Sequence, residues 1–131
     1  MREAGVLMPV SALPSRVGAG ELGESAFHFI ELLKKNHVRI WQILPLNPVG
    51  YGNSPYQPYS SCAGDDIYIS LDTLAEEGLL KKSPMLFLEK CKKVDYERVR
   101  QYREPYLRAA FMAFVEQKGY EKPEYKDRKS V

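Results

Sequence analysis

The sequence contains few of the residues that build metal sites and disulfide frameworks. Among its 131 residues are two cysteines and two histidines. The spacing of Cys62 and Cys91 fits no zinc pattern, and two cysteines make no disulfide framework. We therefore expect both thiols to be reduced and structural. His28 and His37 have no ligand partner at a suitable spacing, so we expect surface histidines and no bound metal.

Charge of one sign and long apolar runs are also scarce. The net charge is +2, and the positive residues are not confined to one block, which argues against a nucleic-acid partner. The N-terminal apolar run reaches Ser11 and Pro14 after only a few residues, too short for a signal-peptide core or a membrane span. We therefore expect a cytoplasmic protein that binds no membrane. With 44% hydrophobic and 27% charged residues, the composition is that of a globular domain.

The first part of the chain has the pattern of an α/β unit. Residues 4–10 and 39–46 are short apolar runs without alternation, typical of strands that are buried on both faces. Between them, residues 24–36 place apolar side chains at helical spacing, and Asn36 can take the left-handed cap. Strand, helix and strand in this order predict a right-handed βαβ unit.

A long loop and a short helix follow. Residues 47–66 are rich in Gly, Pro, Ser and Asn, and long loops in compact domains are usually functional. Residues 67–71 predict a short strand. Residues 72–78 predict a short helix with Asp72 as its N-cap and Gly78 as its stop.

The rest of the chain predicts one longer helix and a polar end. Residues 81–95 have no clear pattern. Residues 96–117 are helical by period, with Pro105 either kinking the helix or starting a new one. Residues 118–131 are polar and predict a frayed end. The predicted apolar face of the helix consists of Val99, Tyr102, Tyr106, Ala110, Ala113 and Phe114.

Three local patterns invite a chemical interpretation and are better explained as structure. Asp65 and Asp66 are adjacent, so their side chains point in different directions, and we interpret them as a turn with solvated charge. Gly18, Gly20 and Gly23 match the letters of a dinucleotide fingerprint. They lie in a loop without a phosphate-binding lysine and at the wrong spacing from the strand, so we expect no nucleotide cofactor. Trp41 alternates with Ile40 on the second strand and is interpreted as packing.

Two segments go beyond general α/β patterning. The first is REAGVLMPVSALPS at residues 2–15, followed by Gly18, Gly20 and Gly23. The second is WQILPLNP at residues 41–48 with GYGNSPYQ at residues 50–57. Together they resemble the start of the amylomaltase family, glycoside hydrolase family 77, with a good match over residues 2–80 and a weaker one over 94–114.

This resemblance implies an α/β fold that is the N-terminal portion of a (β/α)8 TIM-type barrel, with the first two strands and first helix, plus a mostly helical insertion. It divides the chain into residues 1–66, the βαβ unit with its active-site loop, residues 67–117, the insertion, and residues 118–131, a disordered or truncated tail. The loops after the two strands would lie at the carboxyl-terminal face of the barrel, where active sites are built.

The resemblance also implies a function. The family transfers α-1,4-glucan segments through a covalent glucosyl-enzyme, with an Asp nucleophile and a Glu acid/base. Those carboxylates lie on later strands, so the chain is expected to be an N-terminal fragment without catalytic residues, inactive alone and requiring the remainder of the barrel. A non-catalytic glucan-binding module and a non-functional truncated gene product remain as alternatives.

The residues that the resemblance assigns to substrate are Tyr51, Ser54 and Tyr56, which would contact an α-1,4-glucan or maltooligosaccharide. Composition alone favours packing or surface roles for both tyrosines, and the motif around them reverses this interpretation; Ser54 before Pro55 is by itself typical of a turn residue. No His or Asp is placed to make Ser54 a triad nucleophile. The chain departs from the family at Asn53, where Asp is common, at residues 63–66, where AGDD replaces AGNP, and at Cys62, where a large aromatic is usual. No cofactor is implied.

Overall fold

We analysed a computed structural model of the protein, which describes residues 3–81 and 93–126, without the side chains of Tyr51, Glu124 and Lys126. Two strands, β1 (Gly5–Leu7) and β2 (Ile40–Gln42), flank helix α1 (Glu24–Lys35). Three further helices follow, α2 (Leu71–Glu76), α3 (Tyr96–Glu116) and α4 (Pro123–Lys126). Short 3-10 turns occupy Val10–Ala12, Tyr51–Asn53, Asp66–Tyr68 and Gly119–Glu121. The described part of the chain is therefore a small α/β structure.

The two strands pair in parallel, as the βαβ pattern predicts. Val6 lies opposite Trp41, and the Met8 N–H extends the ladder by donating to the Gln42 carbonyl oxygen at 3.0 Å. Each strand has three residues, so the predicted strands over 4–10 and 39–46 were too long. The prediction that both faces are buried was also wrong, because Leu7 and Ile40 are exposed in a sheet of only two described strands.

Helix α1 packs on the sheet through one stripe of apolar side chains. Ala26 and Leu33 are buried, and Phe29 meets the Trp41 ring edge-on with centroids 5.0 Å apart. The Trp41 indole N–H donates to the Met8 carbonyl oxygen at 2.8 Å, so its interpretation as a packing residue is confirmed. At the end of the helix His37, with φ of 58°, takes the left-handed position predicted for Asn36.

The segment after the long loop differs from the prediction. Residues 67–71 were predicted as a strand, but Asp66–Tyr68 is a 3-10 turn, and the pairing is a single bridge between Leu22 and Ile69. The N-cap of α2 is Ser70, whose Oγ accepts from the Thr73 N–H, and not Asp72. Asp72 instead forms an ion pair with Arg16 at 2.7 Å. Gly78 stops the helix with φ of 75°, as predicted.

Helix α3 runs without a break through Pro105. Its Val99 side chain joins Ala19 and Ile67 in one buried cluster, while Val10, Leu13 and Ala26 form the other. Residues 119–126 form a turn and α4, where a frayed end was predicted. The Phe114 and Tyr125 rings pack edge-to-face at 4.9 Å, which holds α4 on α3. Within the described residues, no helix is long and apolar enough to cross a membrane.

Candidate functional site

The long loop after β2 is closed at its base by hydrogen bonds. The Asp65 N–H donates to the Leu46 carbonyl oxygen at 2.7 Å. The Asn47 side-chain amide donates to the carbonyl oxygens of Ser61 and Ala63 at 3.0 and 2.9 Å. Residues 47–64, which we call the 47–64 loop, therefore leave and rejoin the scaffold at one point.

Inside the 47–64 loop the chain doubles back on itself. The Gly50 N–H donates to the Gln57 carbonyl oxygen at 3.1 Å, and the Tyr59 N–H donates to the Pro48 carbonyl oxygen at 3.0 Å. A side chain at Gly50 would place its Cβ 2.9 Å from the Gln57 oxygen, so only glycine fits this close approach. The turn itself uses Gly52 and Asn53, both with positive φ, a conformation that glycine and asparagine tolerate.

The turn presents the sequence-predicted site residues together. Ser54 is half-buried, and its carbonyl oxygen accepts from the Gln57 N–H at 3.2 Å. Tyr56 is 72% exposed. Tyr51 begins the 3-10 turn that precedes them, and its side chain lies outside the described part of the structure. Tyr59, which the sequence analysis did not single out, is 79% exposed. A tyrosine in a Gly- and Pro-rich loop is the signal that could have found it.

A cleft of about 140 Å³ separates the 47–64 loop from α3. Its lining includes Pro9, Ser11 and Leu44, which follow the two strands, and Asn53 and Pro55 of the loop. Its remaining wall comes from the segment after the loop and from α3, namely Asp65, Ile67, Tyr68, Tyr96 and Arg100. The residues on either side of Ser54 therefore face groups at the carboxyl ends of the strands.

An ion pair stands in the wall of this cleft. The Arg100 guanidinium donates to both carboxylate oxygens of Asp65, at 2.7 and 2.6 Å. The Asp65 side chain is only 2% exposed, which corrects its interpretation as a solvated turn residue. Asp66, with 65% exposure, does match that interpretation. The Asp65 Oδ1 also caps the 3-10 turn by accepting from the Ile67 N–H, so the buried carboxylate has a backbone donor besides Arg100.

The charges of this pair are fixed by their surroundings. Burial by itself raises the pKa of the Asp65 carboxyl, but the hydrogen bonds from Arg100 and the Ile67 N–H outweigh it and leave the pKa below its ordinary value. The hydrogen bond to Asp65 raises the pKa of Arg100. Asp65 is therefore a permanent anion at neutral pH, held by its partner and unsuited to act as a general acid.

Two tyrosines complete the polar part of the cleft. Burial, followed by the proximity of Tyr96 and Asp65, raises the pKa of Tyr68. The Tyr96 hydroxyl lies 3.2 Å from the Ser11 hydroxyl. The Tyr68 phenol therefore keeps its proton at pH 7, and both hydroxyls are groups that can donate or accept hydrogen bonds.

A second buried ion pair lies one turn further along α3. Arg103, 1% exposed, donates to Glu21 at 2.8 Å and to the Ile69 carbonyl oxygen. Ser70 donates to the other Glu21 oxygen at 3.1 Å. The sequence analysis missed Arg103, although it falls at helical spacing between the buried Val99 and Ala110.

The remaining polar candidates do not form a reactive centre in the described residues. His28 and His37 are exposed, as expected. Cys62 is a free and exposed thiol, so it does not have the structural role predicted for it, and Cys91 lies outside the described residues. No group of three or more His, Cys, Asp or Glu side chains within residues 3–81 and 93–126 is placed to hold a metal ion. The arrangement presents a serine hydroxyl and exposed aromatic rings, which suits binding of a polar ligand with flat apolar faces.

Comparison with known proteins gives consistent matches. The sequence profile of the family described as 4-alpha-glucanotransferase, glycoside hydrolase family 77, matches residues 8–130. The 4-alpha-glucanotransferase of Streptococcus pneumoniae is 42% identical over 118 residues, which are 88% of this chain and 23% of that protein. The 4-alpha-glucanotransferase of Thermus thermophilus is 39% identical over 123 residues, 94% of this chain and 24% of that protein.

A solved structure agrees. The amylomaltase from Streptococcus agalactiae in complex with acarbose superposes with a TM-score of 0.83 at 31% identity, over 98% of this chain and 26% of that one. The chain thus spans about a quarter of the length of the relatives that it matches. Because the family profile covers nearly the whole chain, this chain belongs to the 4-alpha-glucanotransferase family.

Proposed function

We propose that this chain is the N-terminal, substrate-binding part of a 4-alpha-glucanotransferase that moves α-1,4-glucan segments between maltodextrins. The observation that carries the proposal is the 47–64 loop, which holds Ser54 and Tyr56 in one turn and shares a cleft with residues that follow two parallel strands. In (β/α)8 barrels, substrate sites are built from loops in this position. The proposal therefore includes a barrel whose first two strands are β1 and β2.

In this proposal Tyr51, Ser54 and Tyr56 contact glucan and take no part in bond cleavage. A glucose ring has apolar faces and a rim of hydroxyls. An exposed tyrosine can pack against the face and hydrogen-bond to the rim. The Ser54 hydroxyl can donate or accept at a fixed position. Transfer itself is a retaining double displacement by two carboxylates, which the remainder of the barrel supplies. The proposed location is the cytoplasm, and no cofactor takes part.

The decisive test places the chain in a complete enzyme. In the hybrid enzyme, this chain replaces the matching segment of the Streptococcus pneumoniae relative, with which it shares 42% identity. Incubated with maltotriose, the hybrid enzyme should release glucose and longer maltodextrins, and the 131-residue chain alone should yield neither. An inactive hybrid enzyme that still binds acarbose would favour a non-catalytic glucan-binding module instead.

Substitution of Tyr56 tests the assignment of the site. In the hybrid enzyme, Tyr56→Ala should lower kcat/KM for maltotriose by about 1–3 kcal/mol of transition-state stabilisation, the range for loss of a buried hydrogen bond. Tyr56→Phe removes only the hydroxyl, and so distinguishes its contribution to kcat/KM from that of the aromatic ring. Tyr120, which is also partly exposed but lies outside the loop, provides the matched control as Tyr120→Ala. Equal kinetics for the variants at Tyr56 and Tyr120 would remove Tyr56 from the site.

A further inference from the structure

The base of the 47–64 loop is joined to α3 through Asp65. The Asp65 backbone N–H donates to the carbonyl oxygen of Leu46, four residues after β2, and its carboxylate accepts both from the Ile67 N–H and from Arg100. One residue thus connects the point where the loop rejoins the scaffold, the 3-10 turn after it and the long helix. Movement of Asp65 would be transmitted to all three.

The turn of the loop and the ion pair line the same cleft. Asn53 and Pro55, which flank Ser54, share its lining with Asp65 and Arg100. The gap between the loop tip and α3 is therefore set by how the base of the loop sits on the helix. A guanidinium that donates two parallel hydrogen bonds to one carboxylate fixes orientation as well as distance.

Stability alone is a weak explanation for this arrangement. Enclosing a carboxylate costs desolvation energy, and an apolar pair of similar volume is often as stable. What an apolar pair lacks is the directional bidentate geometry. The feature therefore fits a role in setting the position of the loop.

We propose that Asp65 and Arg100 are positioning residues whose ion pair holds the 47–64 loop against α3 and so sets where Ser54 and Tyr56 meet the substrate. The part of this inference that concerns substrate rests on the proposed function. The part that concerns the loop does not, and the two parts are measured separately.

The first measurement is amide hydrogen exchange in the hybrid enzyme. Arg100→Gln should speed exchange across the 47–64 loop by at least about tenfold, because a buried carboxylate loses its partner. Arg100→Lys keeps the charge and should restore part of the protection. Arg98→Gln is the matched control, since Arg98 is an exposed residue of the same helix, and it should leave the loop unchanged. Unchanged loop exchange in Arg100→Gln, or an equal rise over α1, would overturn the proposal.

The second measurement is steady-state kinetics of the hybrid enzyme with maltotriose. Arg100→Gln should raise KM about fivefold or more while kcat changes less than about twofold, because ground-state placement is lost and the reacting carboxylates are not touched. The KM of Arg100→Lys should lie between those of the parent hybrid enzyme and Arg100→Gln. The KM of Asp65→Asn should be raised as in Arg100→Gln. A fall in kcat with unchanged KM would contradict a positioning role. An inactive parent hybrid enzyme would count against the proposed function, while the exchange result would still decide whether the pair holds the loop.

Discussion

Arg103 is the largest side chain that the described residues bury completely. Its charge is tolerated there because Glu21 and the Ile69 carbonyl oxygen accept its hydrogen bonds, although its Nε has no partner. Glu21 is in turn held by Ser70. The group ties α3 to two segments far from it in sequence, so each member depends on the others.

Removal of the arginine should therefore be costly. Arg103→Met leaves the Glu21 carboxylate enclosed without its cation, and breaking a buried pair in this way costs about 3–5 kcal/mol. In the hybrid enzyme, amide exchange of α3 should report this loss as faster exchange. Combining Arg103→Met with Glu21→Gln should recover part of it, because the stranded charge is gone. The control is Arg108→Met, at an exposed site on the same helix. Equal α3 exchange rates in Arg103→Met and Arg108→Met would show that the Arg103 ion pair does not stabilise the helix.

Asp65 should make the loop sensitive to acid. Its pKa in the folded protein is below the ordinary value, so the unfolded state binds the proton more readily and stability falls as the pH falls. Protection of the 47–64 loop should be complete above the ordinary Asp value of about 3.9 and decline as the pH drops below it. Amide hydrogen exchange of the hybrid enzyme as a function of pH, corrected for intrinsic exchange rates, measures the protection of the loop. Asp65→Asn should make loop protection less dependent on pH. Asp66→Asn, at the exposed neighbour, should leave that pH dependence unchanged.

At the scale of elements, Pro105 lies inside α3 without ending it. Proline removes one backbone hydrogen bond of the helix and crowds the preceding turn. The helix continues because Val99, Arg103 and Ala110 are buried along one stripe, so packing outweighs the local cost.

Pro105→Ala should therefore stabilise α3. The restored N–H and the better helix propensity favour the folded state by up to about 3 kcal/mol. In the hybrid enzyme, amide exchange over Tyr96–Glu116 should slow, whereas Arg108→Ala, at an exposed position, should leave it nearly unchanged. Faster exchange in Pro105→Ala would indicate that the proline shapes the packing of the helix.

Helical periodicity and loop composition made α1, α3 and the long loop predictable. The strands were predicted too long because an apolar run marks burial and not hydrogen bonding, and only Gly5–Leu7 and Ile40–Gln42 pair. Residues 67–71 have strand-like composition, but the cap by Asp65 and the contacts of Ile67 favour a 3-10 turn. Ser70 and Asp72 are both good N-caps, and the ion pair with Arg16 engages Asp72 elsewhere.

The candidate site was predictable only in part. The motif at residues 50–57 identified the loop, and the structure places Ser54 and Tyr56 in one turn. Their contact with glucan stays a prediction. The pairing of Asp65 with Arg100 joins residues 35 positions apart, and no local pattern in either segment indicates the other. The division of the chain at residues 66 and 117 also stays a prediction.

At the scale of the molecule, much apolar surface is left uncovered within the described residues. Exposed apolar side chains lie on the strands, directly after β2, on α1 and on α3, and include Leu7, Phe27, Ile30, Leu32, Ile40, Ile43, Phe111 and Met112. Patches of this kind mark surfaces that pack against other protein. Among residues 3–81 and 93–126 no further strand pairs with the outer edges of β1 and β2, which adds unpaired backbone groups.

The 131-residue chain alone should therefore associate. Size-exclusion chromatography with light scattering should show oligomers or aggregates, and heating should give a broad transition, because the exposed side chains forfeit several kcal/mol at about 25 cal/mol per Å². If the remainder of the proposed barrel covers these faces, the hybrid enzyme should elute as one species. A monodisperse monomer with a sharp unfolding transition would show that the chain is self-sufficient.

The closed base of the 47–64 loop has a consequence for how such enzymes diversify. Leu46 and Asp65 are hydrogen-bonded neighbours, so the intervening segment can change in length or sequence without moving the strand that enters it or the turn that leaves it. The two ends of the loop therefore stay in place while the residues between them vary. Under the proposed function, exchanging residues 47–64 between relatives should transfer substrate preference as a unit, provided that the recipient helix carries a cation that can pair with the residue at position 65.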